Sequence, residues 1–182
     1  MRPFEGIKVI DVTHVLAGPF AAYQLALLGA DVIKVEDPHE CDQSRESGSD
    51  HALSDAKMGL GFATQASNKR AITVNLKTAK GQEIIKRLAK DADVFVENYR
   101  AGAFKKLGLG YDVLSKINPK LIYCSMTAFG QDGPRGHMTA YDHAIQSTSG
   151  MMRTTGTPEV NPIKVGSPVI DYACGTMNAF AL

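Results

Sequence analysis

The sequence predicts an α/β fold built on an open parallel sheet with helices on both faces. Short apolar runs typical of buried strands alternate along the chain with stretches of helical periodicity. The opening residues already form a strand–helix–strand unit of about thirty residues. Two parallel strands must be joined by a long crossover of this kind, so the unit indicates a parallel sheet.

The first unit occupies residues 7–36. Residues 7–12 are an apolar run that predicts a buried strand. Gly18 and Pro19 then begin a helix over residues 20–28, with proline near the first turn as expected, and Gly29 ends it. Residues 31–36 predict the second strand.

The segment 37–69 interrupts this alternation. It is rich in Ser, Asp, Gly and Glu and shows little periodicity. We therefore expect a long loop, and a loop of this length in a compact domain is usually functional or mobile.

Regular structure resumes after residue 69. Ile84, Ile85 and Leu88 share one face of a helix at 80–90. We expect strands at 71–75, 93–97 and 121–125, helices at 80–90 and 142–149, two short helices on either side of 107–111, and an extended run at 162–165.

The composition excludes several functional classes. The 182 residues are 44% apolar and 21% charged with a net charge of +1, so the charge is too weak to indicate nucleic-acid binding. No apolar run is long enough to span a membrane. The three cysteines are odd in number and far apart, and the histidines lack ligand spacing. We therefore expect a cytoplasmic protein with no metal site.

Asp171 is the strongest candidate for a catalytic group. A Gly-Ser-Pro turn at 166–168 delivers it to the start of a helix of small residues that begins at Tyr172. The helix dipole and free backbone N–H groups there are expected to stabilise its carboxylate as an anion. Such a carboxylate can attack an activated acyl group. The alternative is that Asp171 only caps the helix, since aspartate is a preferred cap.

Basic residues near the strand ends form a second candidate site. Lys69 and Arg70 precede the third predicted strand, Lys77 follows it, and Tyr99 and Arg100 follow the fourth. Lys and Arg suit phosphates and Tyr suits an adenine face, although the same charges also fit a solvated rim. His14 follows the first strand, where we expect a structural hydrogen-bonding role. No Gly-x-Gly-x-x-Gly, P-loop or Gly-x-Ser-x-Gly motif supports a dinucleotide, nucleotide or serine-hydrolase site.

Nine segments in a fixed order resemble a known family. Examples are Leu-Gly-Ala-Asp-Val-Ile-Lys-Val-Glu at 28–36 and Ala-Asp-Val-Phe-Val-Glu-Asn-Tyr-Arg at 92–100. The others lie at 68–70, 75–78, 107–111, 118–123, 129–134, 141–142 and 166–171. Over its whole length the chain resembles the class III CoA-transferases, the CaiB/BaiF type.

The resemblance implies a fold and an assembly. The sheet is expected to be Rossmann-like, with residues 1–182 forming the N-terminal part of the large CoA-binding domain. The small domain and the C-terminal remainder are expected to be absent from this chain, and residues 177–182 look like an uncapped, interrupted helix. The family forms interlocked homodimers.

The resemblance also implies an activity. Family members transfer CoA from an acyl-CoA donor to a small carboxylic acid, with CoA as co-substrate, through an aspartyl-CoA intermediate that falls on Asp171. The implied CoA contacts are Ala17, Val74, Asn75, Leu76, Lys77, Asn98, Tyr99, Arg100, Lys106, Thr139, Ala140, Tyr141 and Asp142.

Two other functions stay open at this stage, an α-methylacyl-CoA racemase or epimerase and an inactive CoA-binding fragment. The racemases place a catalytic His where this chain has Tyr141, and tyrosine is a poor acid–base substitute near neutral pH. On a helix His143 is expected to point away from Tyr141. The formyl-CoA/oxalate branch carries Gln at the position of Leu16, so that specificity is not expected.

Overall fold

Five parallel strands form one open sheet in the order β3-β2-β1-β4-β5 in the computed structural model, which describes residues 2–182. The strands are β1 Lys8–Asp11, β2 Asp31–Glu36, β3 Arg70–Thr73, β4 Val94–Glu97 and β5 Ile122–Ser125. All neighbouring strands pair in parallel, which confirms the predicted fold class. The strand order reverses between β1 and β4, and open α/β sheets bind ligands beyond the strand ends at such a point.

Helices cover both faces of the sheet. They are α1 Ala17–Leu27, α2 His51–Asp55, α3 Leu60–Ala66, α4 Ala79–Lys90, α5 Ala103–Lys106, α6 Tyr111–Ile117, α7 Asp142–Thr148 and α8 Val169–Ala181. Successive strand residues face opposite sides, so Val9 packs in one core with α1 and α8, and Ile10 packs in another with α4 and α6. Within residues 2–182 no helix is long and apolar enough to cross a bilayer.

Helix α1 is apolar almost all round because it lies between the sheet and α8. Its small residues Ala21, Ala22 and Ala26 are buried in the core beneath it. Gly175 allows α8 to approach closely, since a Cβ there would lie 2.7 Å from the carbonyl oxygen of Ala17. The two helices are thereby held together at the turn of α8 that follows Asp171.

The expectation that residues 37–69 form a loop is wrong. The segment contains a 3₁₀ helix at Gln43–Glu46 together with α2 and α3. These helices are too short to be stable alone, so tertiary contacts must hold them. Arg45 bridges the segment by donating hydrogen bonds to Glu36 over 2.8 and 2.6 Å while its guanidinium stacks 3.6 Å from the ring centre of Phe62. Sequence periodicity cannot reveal such contacts. Residues 162–165, where an extended run is expected, form neither a helix nor a strand and lie outside the sheet.

The inclusion of Lys69 and Arg70 in a phosphate site is also wrong. The Lys69 side chain is 1% exposed, and its ammonium donates to the Asp11 carboxylate and to the Pro19 carbonyl, both at 2.8 Å. Arg70 pairs through both sides of its guanidinium with Asp31. Because Arg70 and Asp31 begin their strands, this exposed pair lies at the amino edge of the sheet, away from the ligand edge.

Candidate active site

Asp171 lies in the first turn of α8 and is half-buried. The N-cap of this helix is Pro168, and no side chain of its own segment caps it. Asp171 therefore does not act as the cap, which removes the structural alternative for this residue. Among residues 2–182 no group donates a hydrogen bond to its carboxylate, so both oxygens are available to a reaction partner.

The cap of α8 comes from another helix. The buried Asp142 carboxylate at the start of α7 accepts the backbone N–H groups of Ile170 at 2.7 Å and of Asp171 at 3.0 Å. Its second oxygen accepts from the side-chain amide of Gln146, whose own carbonyl oxygen accepts the N–H of Val165 at 2.9 Å. This network joins α7 to the approach and first turn of α8.

The electrostatics of Asp171 differ from the expectation that its charge is stabilised. The N–H groups that were expected to be free are already bonded to Asp142. Burial raises the pKa of Asp171 to about 6, and the negative charge of Asp142 adds to the effect. The carboxylate is still mostly ionised at neutral pH, and it is more basic than an ordinary aspartate. A more basic carboxylate is a better nucleophile.

The start of α1 lies beside the turn of α8 that carries Asp171. The rings of Tyr172 and Phe20 pack edge to face with their centroids 4.9 Å apart. Gly175, one helical turn after Asp171, lies against the carbonyl of Ala17. The structure thus brings the predicted contact Ala17 and the predicted nucleophile onto adjoining helix ends.

The crevice between β1 and β4 brings together His14, Asn98 and Tyr99. The Asn98 side chain accepts the His14 N–H at 2.9 Å and donates to the His14 carbonyl at 2.8 Å. The His14 ring packs edge to face with Tyr99, with centroids 4.8 Å apart. Burial lowers the pKa of His14, against the opposing charge of Asp42, so the imidazole is neutral at pH 7. Both bonds to Asn98 are made by the His14 backbone, and within residues 2–182 the imidazole nitrogens make no hydrogen bond. The side chain therefore packs against Tyr99 and does not have the hydrogen-bonding role that the sequence analysis expects.

The predicted contacts after β3 divide into buried and exposed groups. Val74 and Leu76 are buried in the core that also holds Tyr99. Asn75 orients the turn by accepting the Lys77 N–H at 2.9 Å. Lys77 is exposed and lies 3.9 Å from Glu40, too far for a strong pair.

The cations Arg100 and Lys106 are exposed on the segment that follows β4, Lys106 at the end of α5. Both follow the carboxyl end of β4 along the chain.

The predicted turn at 139–142 contains residues of different burial. Thr139 and Tyr141 are exposed, Ala140 is half-buried, and Asp142 is buried with its carboxylate committed to α8. The expectation that His143 points away from Tyr141 is wrong. Their rings lie nearly parallel, 6.5 Å apart, because Tyr141 precedes α7 and does not follow helical spacing.

Several buried charged residues of this region were missed by the sequence analysis. Asp11, Lys34 and Asp42 are at most 5% exposed. A signal was present for two of them, since a charged residue inside an apolar strand of a parallel sheet is buried on both faces. Among residues 2–182 no cluster of three His, Cys, Asp or Glu side chains could hold a metal ion.

Comparison with known sequences places this geometry in context. A sequence model of CoA-transferase family III matches residues 4–182. A succinyl-CoA:glutarate CoA-transferase of Mus musculus is 43% identical over 96% of this chain and 39% of its own length. The succinate–glutarate CoA-transferase of Agrobacterium fabrum is 43% identical over 99% of the chain and 46% of its own length. An acetyl-CoA:oxalate CoA-transferase of Acetobacter aceti is 41% identical over 98% of this chain and 45% of its own length.

Two solved structures are similar to this chain in both fold and sequence. A CaiB/BaiF family protein from Brucella suis has a TM-score of 0.91 and 39% identity over 99% of this chain and 48% of that chain. A hypothetical protein from Mycobacterium tuberculosis has a TM-score of 0.89 and 36% identity over 100% of this chain and 49% of that chain. The chain therefore spans less than half the length of these relatives.

Proposed function

The chain belongs to CoA-transferase family III, and we propose that it moves CoA from an acyl-CoA donor to a small carboxylic acid through a covalent intermediate on Asp171. The observation that carries this proposal is a half-buried carboxylate with a raised pKa and no hydrogen-bond donor among residues 2–182. A structural aspartate would be bonded, whereas a nucleophile needs a free oxygen.

The reaction divides into two exchanges at one carboxylate. Asp171 attacks the thioester carbonyl of the donor, and the C–S bond breaks to give a mixed anhydride and CoA thiolate. The thiolate attacks the aspartyl carbonyl, forms an aspartyl-CoA thioester and releases the donor acid. The acceptor carboxylate attacks this thioester and expels CoA thiolate, which leaves a second mixed anhydride. The thiolate then attacks the acceptor's carbonyl, forms the new acyl-CoA and releases the Asp171 carboxylate.

Asp142 contributes by holding the first turn of α8 through two backbone N–H groups. Its charge also raises the basicity of Asp171. These two effects position and activate the nucleophile.

The native protein should be tested first with succinyl-CoA as donor and glutarate as acceptor. Two of the similar proteins are named as CoA-transferases of succinyl-CoA or succinate and glutarate. Chromatography that separates succinyl-CoA from glutaryl-CoA measures the transfer directly. Formation of glutaryl-CoA supports the proposal. Failure with these and with other short-chain acyl-CoA donors and carboxylic acids would contradict it.

We expect the pH dependence of kcat/KM to show an acid limb near pH 6, because protonation removes the Asp171 nucleophile. Activity should be present above this pH and be lost as the pH falls below it. Asp142→Asn removes the like charge and should shift the limb to lower pH. The matched control is Asp112→Asn. Asp112 is an exposed acid on α6, which lies on the face of the sheet opposite α8, so this variant should leave the pH of the acid limb unchanged. An unshifted limb in Asp142→Asn would contradict the proposed coupling.

The CoA site of this proposal uses the carboxyl edge of the sheet. Arg100 and Lys106 supply exposed positive charge for phosphates, and Tyr99 lines the crevice beside His14. Ala17, the turn at 74–77 and the turn at 139–142 supply the remaining contacts.

Arg100→Ala and Lys106→Ala should each weaken CoA binding by about tenfold at low salt, because each removes a charge-assisted phosphate contact. The loss should shrink at high salt, since ions screen exposed charges. Titration calorimetry measures it. Lys90 is an exposed lysine at the C-terminal end of α4, away from the proposed CoA contacts, so the Lys90→Ala variant should bind CoA like the unsubstituted protein. Equal losses in all three variants would mean that the effect is only net charge.

The interlocked homodimer that the family resemblance implies is part of this proposal. Met177 and Phe180 of α8 are 65% and 89% exposed, which supports coverage of this face by a second subunit.

A further inference from the structure

Side chains, and not backbone, determine the path of the chain between β1 and α1. Five successive backbone polar groups, from the N–H of Thr13 to the N–H of Val15, are each bonded to a side chain. The partners are Asp11 for the Thr13 N–H, Lys34 for the Thr13 carbonyl, Asn98 for both polar groups of His14, and Asp42 for the Val15 N–H. We call residues 13–16 the β1–α1 loop.

Val15 has an unfavourable backbone conformation within this loop. Its φ is +71°, in the left-handed region that a β-branched residue rarely adopts. Such a conformation persists only where surrounding contacts over-determine it. The contact to Val15 itself comes from Asp42, whose Oδ1 accepts the Val15 N–H at 3.1 Å.

Asp42 is itself held rigidly. It is 5% exposed, and the same Oδ1 accepts the backbone N–H and hydroxyl of Ser44 at 3.0 and 2.7 Å. Its other oxygen lies 3.3 Å from the ammonium of Lys34, which also bonds the Thr13 carbonyl. Lys34 of β2 thus bonds the Thr13 carbonyl, and Asp42 of the following segment bonds the Val15 N–H. The two side chains fix the loop on both sides of His14.

The β1–α1 loop leads directly into the candidate site. Leu16 is the N-cap of α1 and Ala17 is its first residue. The Ala17 carbonyl lies against Gly175, one turn after Asp171. A change in the conformation of Val15 therefore moves the chain at the point where α1 meets the catalytic helix.

We propose that Asp42 is a positioning residue of the CoA site, which holds Val15 in the left-handed conformation and thereby places Leu16 and Ala17. The proposal rests on the function proposed above, because it takes Ala17 as a CoA contact. It also gives the 37–69 segment a function, because this segment places Asp42 against the β1–α1 loop. The role is separable from stability, since one oxygen bonds Val15 and the other faces Lys34.

The test is a double-mutant cycle between Asp42 and Val15. Asp42→Ala removes the acceptor, so the loop should relax and the Kd for CoA should rise by about tenfold or more. Glycine adopts positive φ without strain, so Val15→Gly combined with Asp42→Ala should restore most of the CoA affinity. It should not restore the unfolding temperature, because Lys34 still lacks its partner. A residue with a merely structural role would show no such rescue.

Two further variants separate charge from hydrogen bonding. Asp42→Asn keeps an oxygen for the Val15 N–H and removes the charge, so it should lower the unfolding temperature while the CoA affinity stays within about twofold. Asp50→Asn, the cap of α2 in the same segment, is the matched control and should leave the CoA affinity unchanged. If Asp42→Ala does not fold, Asp42→Ser should show the same pattern with smaller changes, because its shorter hydroxyl cannot serve both Val15 and Ser44.

Hydrogen exchange of the Val15 amide gives a readout without ligand. It should be faster in Asp42→Ala than in Asp50→Asn, because the amide has lost its acceptor. CoA affinity that is unchanged in Asp42→Ala, or lost in Asp42→Ala and not restored by Val15→Gly, would overturn the positioning role. If the unsubstituted protein does not bind CoA at all, the proposed function fails instead, and the two failures are distinguishable.

Discussion

Replacing Asp171 with alanine or asparagine is expected to reduce CoA transfer by at least about a thousandfold, because loss of a covalent nucleophile leaves only binding to accelerate the reaction. CoA itself should still bind with nearly the same Kd, since the predicted phosphate and adenine contacts lie on other segments. The rate is measured by thioester chromatography and the Kd by calorimetry. Retention of more than a few per cent of the rate would contradict the nucleophile assignment.

The asparagine variant should also be more stable than the unsubstituted protein at pH 7. The pKa of Asp171 rises from 3.8 to about 6 on folding, so the folded state binds a proton more tightly than the unfolded chain between these values. Stability therefore falls as the pH rises through this window. Removing the charge should recover less than the about 3 kcal/mol that this pKa difference corresponds to, because Asp171 is only half-buried and water screens its charge. A gain in stability with a loss of activity is the mark of a functional and not a structural carboxylate.

Intact-mass measurement after incubation with acyl-CoA distinguishes the competing functions. A CoA-transferase should carry an acyl or CoA adduct that is absent in Asp171→Ala. A racemase would form no adduct and would exchange deuterium at the α-carbon of a 2-methylacyl-CoA. We expect the adduct and no exchange.

Lys69→Met is expected to lower the free energy of unfolding by about 3 to 5 kcal/mol, because it leaves the buried Asp11 carboxylate without its partner. Burial alone raises the pKa of Asp11, and the charges of Lys69 and Lys34 outweigh this effect and hold the pKa below its ordinary value. The carboxylate is 0% exposed, so water cannot replace the lost ammonium. Denaturant unfolding measures the loss.

The adjacent residue offers a matched control. Arg70 pairs with Asp31 at the surface, where the two side chains are 65% and 45% exposed, so Arg70→Met should cost less than about 1 kcal/mol. Asp11→Asn combined with Lys69→Met should cost less than the sum of the two single changes, because the second removes a charge that the first has left unpaired. A loss in Lys69→Met no larger than in Arg70→Met would show that burial of the pair contributes nothing.

Local sequence patterns determined the alternating elements of this protein. The apolar runs at β1, β2 and β4 predict parallel strands, and the spacing of Ile84, Ile85 and Leu88 predicts α4. The Gly-Ser-Pro turn predicts a helix start beside Asp171, and α8 begins at Val169, three residues before the predicted start at Tyr172. These features depend on residues a few positions apart, so a single sequence carries the information.

Only the tertiary structure decided how the charged groups pair. Asp142 caps α8 from 29 residues away, Lys69 reaches Asp11 across 58 residues, and Asp42 holds Val15 across 27. Other distant contacts hold the short helices of the 37–69 segment, and burial together with the charge of Asp142 raises the pKa of Asp171 where the local pattern predicts a stabilised anion. Local periodicity is silent on such pairs, because the strength of a buried charge or an N-cap depends on which distant segment folding brings beside it.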